Sequence, residues 1–219
     1  ILTSGTLAPF TSFASELATP FHATLQTGHC IDLLTQTFVG VVGVGPRRGG
    51  APVEGCQDAP FSRGVTLQGC WKHQDSTQYQ DALGATVQHI CGIVPHGVLC
   101  FFPSYTLLEK VAARWESTGL LADMQKGKVV LQEPRGSDGF DNVMGDYNRA
   151  IARSIRLGAG GGGGALFLAV CRGKVSEGLD FADDKARAVL VVGVPYPPAK
   201  DTQVMLKKGY NNARSTQGP

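Results

Sequence analysis

The chemistry of this chain concentrates in one segment, Val170-Cys-Arg-Gly-Lys-Val-Ser-Glu-Gly-Leu-Asp-Phe181. An unbroken apolar run, Ala165 to Val170, leads straight into Arg172, Lys174, Ser176, Glu177 and Asp180. Two cations and a hydroxyl are the groups that hold a phosphate. Glu177 and Asp180 suit a sugar hydroxyl, a metal-bound water or a partner arginine. Glycines at 173 and 178 let backbone come close to a ligand. The plainer alternative is a polar turn with an internal Lys/Glu pair.

Other candidate motifs fail on context. Gly158-Ala-Gly-Gly-Gly-Gly163 has the letters of G-x-G-x-x-G, but it follows a helical pattern and precedes a strand, the reverse of a dinucleotide fingerprint. It reads as a flexible surface linker. Gly173-Lys174 lacks the upstream glycine and the following Ser/Thr of a P-loop. The six cysteines include no C-x-x-C pair and no histidine at zinc-ligand spacing, so free thiols in a reducing compartment are expected. His22, His29, His73, His89 and His96 have no sequence neighbours that suggest catalysis or a metal, and read as solvated or packing residues.

The elements that must carry the polar segment are legible around it. Gly97 to Phe102 is an apolar run of strand length, stopped by Pro103. Ser104 then opens a helix with Leu107, Leu108, Val111, Ala112 and Trp115 at helical spacing, ending near Gly119. Lys128 to Gln132 and Ala188 to Val194 read as further strands. Helices are expected over Ser76 to Val94, over Phe140 to Ile155 and, shorter and amphipathic, over Asp201 to Asn211. Phe38 to Val44 is a buried-strand candidate and Gly45 to Arg63 a loop. Strands apolar on both faces, alternating with helices, imply an α/β fold: a parallel sheet covered on both sides. Ligands of such sheets bind at the carboxyl ends of the strands, where Pro103 to Tyr105, Arg172 to Phe181 and Pro195 to Pro198 lie.

At 219 residues, with 42% hydrophobic and 17% charged, the chain can build a sizeable core and is no charged disordered tail. No apolar stretch reaches the ~18 residues of a membrane span. The net charge of +2 does not by itself argue for nucleic acid.

Four blocks in order resemble the XPD-like, iron–sulfur helicases of superfamily 2. Leu2-Thr-Ser-Gly-Thr-Leu-Ala-Pro9 looks like motif III, Gly97-Val-Leu-Cys-Phe-Phe-Pro-Ser-Tyr105 like motif IV, and the segment from Val170 to Phe181 like motif V. Gly193-Val-Pro-Tyr-Pro-Pro198 looks like the proline-rich stretch before motif VI. The resemblance implies a RecA-like domain, with residues 1–9 ending a first motor domain and 10–219 forming most of a second. In it, 45–75 is an irregular insertion and 158–164 a Gly-rich linker. It places Walker A, the D-E-A-H box and the cluster cysteines before Ile1, and motif VI after Pro219.

The roles that follow are implied by the resemblance. Glu177 and Asp180 are candidate catalytic residues on the nucleotide side. Ser4, Gly5, Thr6 and Gly178 are candidates for nucleotide binding and coupling. Ser104, Tyr105, Arg172, Lys174 and Ser176 are candidates for DNA. Ser104 also reads as a helix N-cap, and Tyr105 as either a base-stacking face or core rim. The implied cofactors are ATP and Mg²⁺ at the interdomain cleft, with a 4Fe-4S cluster elsewhere in the full-length protein. The implied partners are single-stranded DNA and the first motor domain, in the nucleus. A sugar-nucleotide-dependent transferase domain and a non-catalytic RecA-like interaction domain are the alternatives. Deleting Gly160 to Gly163 is expected to change stability little, because loop-closure entropy varies only as the logarithm of length. The 219 residues hold neither a P-loop nor a Q-x-x-G-R block. The isolated chain is therefore expected to show no DNA-stimulated ATP turnover and no unwinding, which an ATPase assay on purified protein checks.

Overall fold

The computed structural model describes residues 1–4, 7–28, 31–46, 64–70, 72–136, 138–158, 163–197 and 200–215, with Glu177, Gly178, Arg214 and Ser215 described by backbone alone. Two compact units emerge, Ile1–Val41 and Val42–Pro219. The first holds helices α1 (Phe10–Leu17) and α2 (Leu33–Gln36). Phe13 and Phe21 stack there with ring centroids 5.6 Å apart. Asp32 caps α2 by accepting from the Leu34 N–H at 3.1 Å. The sequence reading sets its domain boundary at residue 9, whereas the compact units divide at 41.

The larger unit is built on four parallel strands: β3 (Gly97–Phe102), β4 (Val129–Gln132), β5 (Ala165–Val170) and β6 (Ala188–Val191). Their order is β4-β5-β3-β6. All six residues of β5 and five of the six of β3 are buried, while β6 at the edge alternates between half-buried and exposed. This is why the two central strands read as continuous apolar runs: helices cover both of their faces.

On one face, Val98, Cys100, Phe102, Leu166, Leu168 and Val170 pack against α3 (Thr77–Ile93), α4 (Tyr105–Ser117) and α5 (Leu120–Gln125). Trp115 is fully buried there, and its indole N–H donates to the Gln80 carbonyl at 2.9 Å. On the other face, Leu99, Ala165, Phe167 and Ala169 meet Tyr147, Ala150 and Ile151 of α6 (Phe140–Leu157). Burial raises the pKa of the Cys91 thiol to about 11 and pushes Cys100 and Cys171 up as well, so these thiols behave as apolar packing groups. Cys70, Cys91, Cys100 and Cys171 are free thiols; Cys30 and Cys56 lie outside the described residues. No helix among the described residues is long and apolar enough to cross a membrane.

Several expectations need correction. Phe38 to Val44 is not a buried strand. Only Val44–Gly45 is extended and paired, as β1, antiparallel to β2 (Val65–Thr66). The strand β2 thus falls within the expected 45–75 insertion, while 47–63 and Trp71 lie outside the described residues. The helix opened by Ser104 ends at Ser117, close to Gly119 as expected, but that glycine, at φ 75°, turns the chain into α5, which buries Leu120 and Met124. Strand β6 stops at Val191, and Gly193 bends the chain with φ 70°. The last helix, α8, runs Thr202–Ser215.

Of the expected glycine linker, 159–162 lie outside the described residues, and its end at 163–164 is described. Gly164 has φ 106°, and a Cβ there would lie 2.2 Å from the His96 carbonyl oxygen. The end of the run is therefore packed backbone. Beside it the buried Lys128 ammonium donates to the carbonyls of His96 at 2.7 Å and Gly163 at 3.3 Å, and burial lowers its pKa. His96 has a packing role: its Nδ1 and Ser154 Oγ are hydrogen-bonded at 2.8 Å, and Nε2 lies 3.9 Å from the Asp184 carboxylate.

Gly164→Ala combines positive-φ strain with a backbone clash and should cost roughly 2–4 kcal/mol. Gly158→Ala, with φ 75° but open space around the new Cβ, should cost about 1 kcal/mol. Denaturant unfolding of the two variants measures the difference.

Candidate functional site

Parallel pairing brings the polar segments together. Phe102 of β3 and Val170 of β5 are register partners, and the Cys171 N–H continues the ladder to the Phe102 carbonyl at 2.8 Å. The chain beyond each strand therefore emerges side by side, at the inter-strand spacing of about 4.8 Å. Ser104 and Tyr105 leave one strand; Arg172, Lys174 and Ser176 leave its neighbour.

The segment after β5 is not an open loop. The Gly173 N–H donates to the Val170 carbonyl at 2.9 Å, closing a turn. Arg172 in that turn has φ 65°, a left-handed conformation uncommon for arginine. Helix α7 (Lys174–Gly178) follows at once. Its Val175 is 2% exposed and packs into the core on the α6 side. Burying that one residue turns Lys174 and Ser176 outward. The Lys174 ammonium lies 5.5 Å from the centroid of the Phe140 ring, a cation–π distance. Ser176 donates its hydroxyl proton to the Gly173 carbonyl at 2.9 Å, and its oxygen faces outward as an acceptor. Asp180 is exposed, and its neighbour Phe181 is fixed edge-on to Tyr147 at 5.8 Å. No ion pair of Arg172, Lys174 or Asp180 occurs among the described residues. The alternative of an internal Lys174–Glu177 pair falls on a side chain outside them.

Ser104 caps α4: its hydroxyl accepts from the Leu107 N–H at 3.2 Å, and its own backbone is extended. The N-terminus of a thirteen-residue helix, with its exposed N–H groups and dipole, faces the same edge of the sheet as the basic turn. Tyr105 packs on the core rim, half-buried, with the Arg135 guanidinium 5.7 Å above its ring. Arg135 also forms a two-pronged ion pair with Glu109, at 2.5 and 2.7 Å, which holds the Glu109 carboxyl below its usual range.

Glu133 is the group the sequence reading missed. It follows β4 immediately and is 1% exposed. Its carboxylate accepts from the Val170 N–H at 2.8 Å and, more weakly, from the Val175 N–H at 3.4 Å. Desolvation first, then the charge of the nearby Glu133 carboxylate, push the Tyr105 phenol up. A Cβ on residue 173 would lie 2.5 Å from Glu133 Oε1, so only glycine lets the turn rest on the carboxylate. The available signal was a carboxylate, followed by a proline, at the end of an apolar strand.

The structure therefore gathers Ser104, Tyr105, Arg172, Lys174 and Ser176 on one edge, with Asp180 beyond α7. Ser4 belongs to the other compact unit, and Gly5 and Thr6 lie outside the described residues. No three His, Cys, Asp or Glu side chains come together as metal ligands among the described residues.

A four-stranded parallel sheet flanked by helices on both faces is an α/β domain consistent with the RecA-like class. The particular family follows from comparison: residues 87–218 match the helicase C-terminal domain, and the chain belongs to that family. It is 42% identical over 217 residues to the regulator of telomere elongation helicase 1 homolog of Drosophila willistoni, covering 99% of this chain and 19% of the relative. The Aedes aegypti homolog is 43% identical over 210 residues, 96% of this chain and 18% of the relative. The Fanconi anemia group J protein homolog of Gallus gallus is 41% identical over 218 residues, 99% of this chain and 16% of the relative. The chain spans about a fifth of the length of the curated relatives it matches. These matches bear out the resemblance to XPD-like helicases and displace the transferase alternative.

Replacing the cap by Ser104→Ala should cost about 1 kcal/mol of stability, and Ser104→Asp should restore it, since aspartate caps as well as serine. Thermal unfolding of the two variants checks the capping role.

Proposed function

We propose that the full-length protein is an ATP-dependent DNA helicase of the XPD-like group, moving 5′ to 3′ on single-stranded DNA in genome maintenance in the nucleus. Residues 1–9 end its first motor domain and 10–219 form most of the second. The observation that carries this reading is the pairing of Phe102 with Val170, which sets the head of α4 beside the basic turn. The family and the relatives' names support the motor; the direction and location follow the resemblance.

The chain's own residues divide the work. Lys174, with Arg172 beside it, attracts the phosphates of a DNA strand, and the N-terminus of α4 at Ser104 adds N–H groups to the same track. Ser176 has given its proton to Gly173 and takes part as an acceptor of hydrogen bonds. Glu177 and Asp180 belong to the nucleotide side, with Gly178 allowing close approach. Ser4, Gly5 and Thr6 couple nucleotide state to DNA grip. An exposed carboxylate at 180, set apart from the cations by α7, fits a ribose hydroxyl, a magnesium-bound water or an incoming arginine. Bound ATP supplies the phosphoanhydride bond that is cleaved, with Mg²⁺ neutralising phosphate charge. A 4Fe-4S cluster belongs to another part of the full-length protein.

In the full-length protein, Asp180→Asn should lower ATP turnover at saturating single-stranded DNA by tenfold or more, roughly one charge-stabilising contact, and leave DNA affinity within about twofold. Lys174→Ala should weaken DNA binding and flatten its salt dependence by about one charge. ATPase rates and DNA affinities at two salt concentrations test both. Equal loss of both activities in both variants would overturn the division.

A further inference from the structure

The end of β4 poses a problem in hydrogen bonding that Glu133 solves. The Glu133 N–H donates to the Leu168 carbonyl at 2.8 Å, the last rung of the β4–β5 ladder. Pro134 follows and has no N–H to extend the strand. The next donor along β5, the Val170 N–H, is buried and needs an acceptor. It receives the Glu133 side chain at 2.8 Å. The same carboxylate reaches the Val175 N–H at the start of α7, at 3.4 Å. An ionised carboxylate has room for about four donors. Two come here from two separate segments, a strand end and a helix start. Bonds to an ionised acceptor are stronger than neutral ones, and this one is excluded from water.

We propose that Glu133 is a positioning residue for DNA engagement, holding the 170–175 turn in one conformation so that Lys174 meets the same DNA strand as Ser104. Glu133 does not touch the DNA itself, being buried beneath the turn. It acts through Lys174, whose backbone lies between the two amides the carboxylate holds. Gly173 completes the device, because the turn rests on the carboxylate without a Cβ between them. The inference rests on reading Lys174 as a phosphate contact.

The test uses the full-length protein and three readouts: hydrogen exchange over 168–178, affinity for an oligothymidylate, and a double-mutant cycle with Lys174→Ala. Glu133→Gln keeps the shape, removes the charge and turns an NH₂ group toward a backbone donor. Exchange at the 170 and 175 amides should rise about tenfold while that of β3 is unchanged. DNA affinity should fall about tenfold, the size expected for one hydrogen bond to a charged group. In the Lys174→Ala background the same substitution should cost less than twofold. Gly173→Ala, which pushes the carboxylate off the turn from the other side, should give the same cycle and stands in if Glu133→Gln fails to fold. Unchanged exchange at 170 and 175 would overturn the tie, whatever Lys174→Ala does. An equal loss of affinity in both backgrounds would overturn action through Lys174. Undiminished DNA binding by Lys174→Ala alone would sink the phosphate reading and this inference with it. The exchange data identify which of the two links broke.

Discussion

The pairing of β3 with β5 is the constraint on which the rest of this domain depends. Six consecutive register pairs, from Gly97 with Ala165 to Phe102 with Val170, join two strands that are buried on both faces. A slip of one residue would reverse every side chain between the α3–α5 layer and the α6 layer. Neither layer could accept that, because Phe102 packs edge-on against Trp115 on one side and Phe167 against Tyr147 on the other. The register that satisfies the core also fixes which residues leave the sheet together. The functional edge is thus a by-product of packing: Ser104 and Arg172 are neighbours because the aromatic side chains two layers away permit only one alignment.

The two edges of the sheet are finished with opposite chemistry. At the amino edge a buried cation, Lys128, ties together backbone carbonyls from the segments before β3 and β5. At the carboxyl edge a buried anion, Glu133, ties together backbone N–H groups after β5. Each charge is matched to the backbone groups that face it: the carbonyls of His96 and Gly163 for Lys128, the N–H groups of Val170 and Val175 for Glu133. Both residues flank β4, so one short edge strand delivers the fastening for each end. Burying a lone charge is costly unless its hydrogen bonds are met, and both groups meet theirs with backbone.

How much of this was legible depended on whether the signal was local. The bounds of β3 and β5 could be read directly, because a strand covered on both faces is a continuous apolar run. The cap at Ser104 was equally local. Phe38 to Val44 shows the limit of that argument: an apolar run is a strand only where a partner takes its hydrogen bonds, and here that happens only at its end, where the Gly43 carbonyl accepts from the Leu67 N–H and the ladder starts at Val44. Helix α7 was hidden because five residues are too few to show a period. Gly164 looked like its flexible neighbours, and what distinguishes it is the His96 carbonyl, 68 residues earlier in the sequence. Glu133 was missed for the same reason. Its partners sit at 170 and 175, and nothing next to it in sequence announces them.

Lys128 and Glu133 together have a mechanical consequence. A parallel sheet clamped at both edges behaves as a plate, not a set of independent ribbons, because its interior is dense and yields little. A pull on the turn after β5 is passed through Glu133 to β4 and through the ladder to β3, before any one loop can stretch. A load applied at that edge is therefore delivered as displacement of the whole plate, with little lost to bending, and any compliance resides outside the sheet.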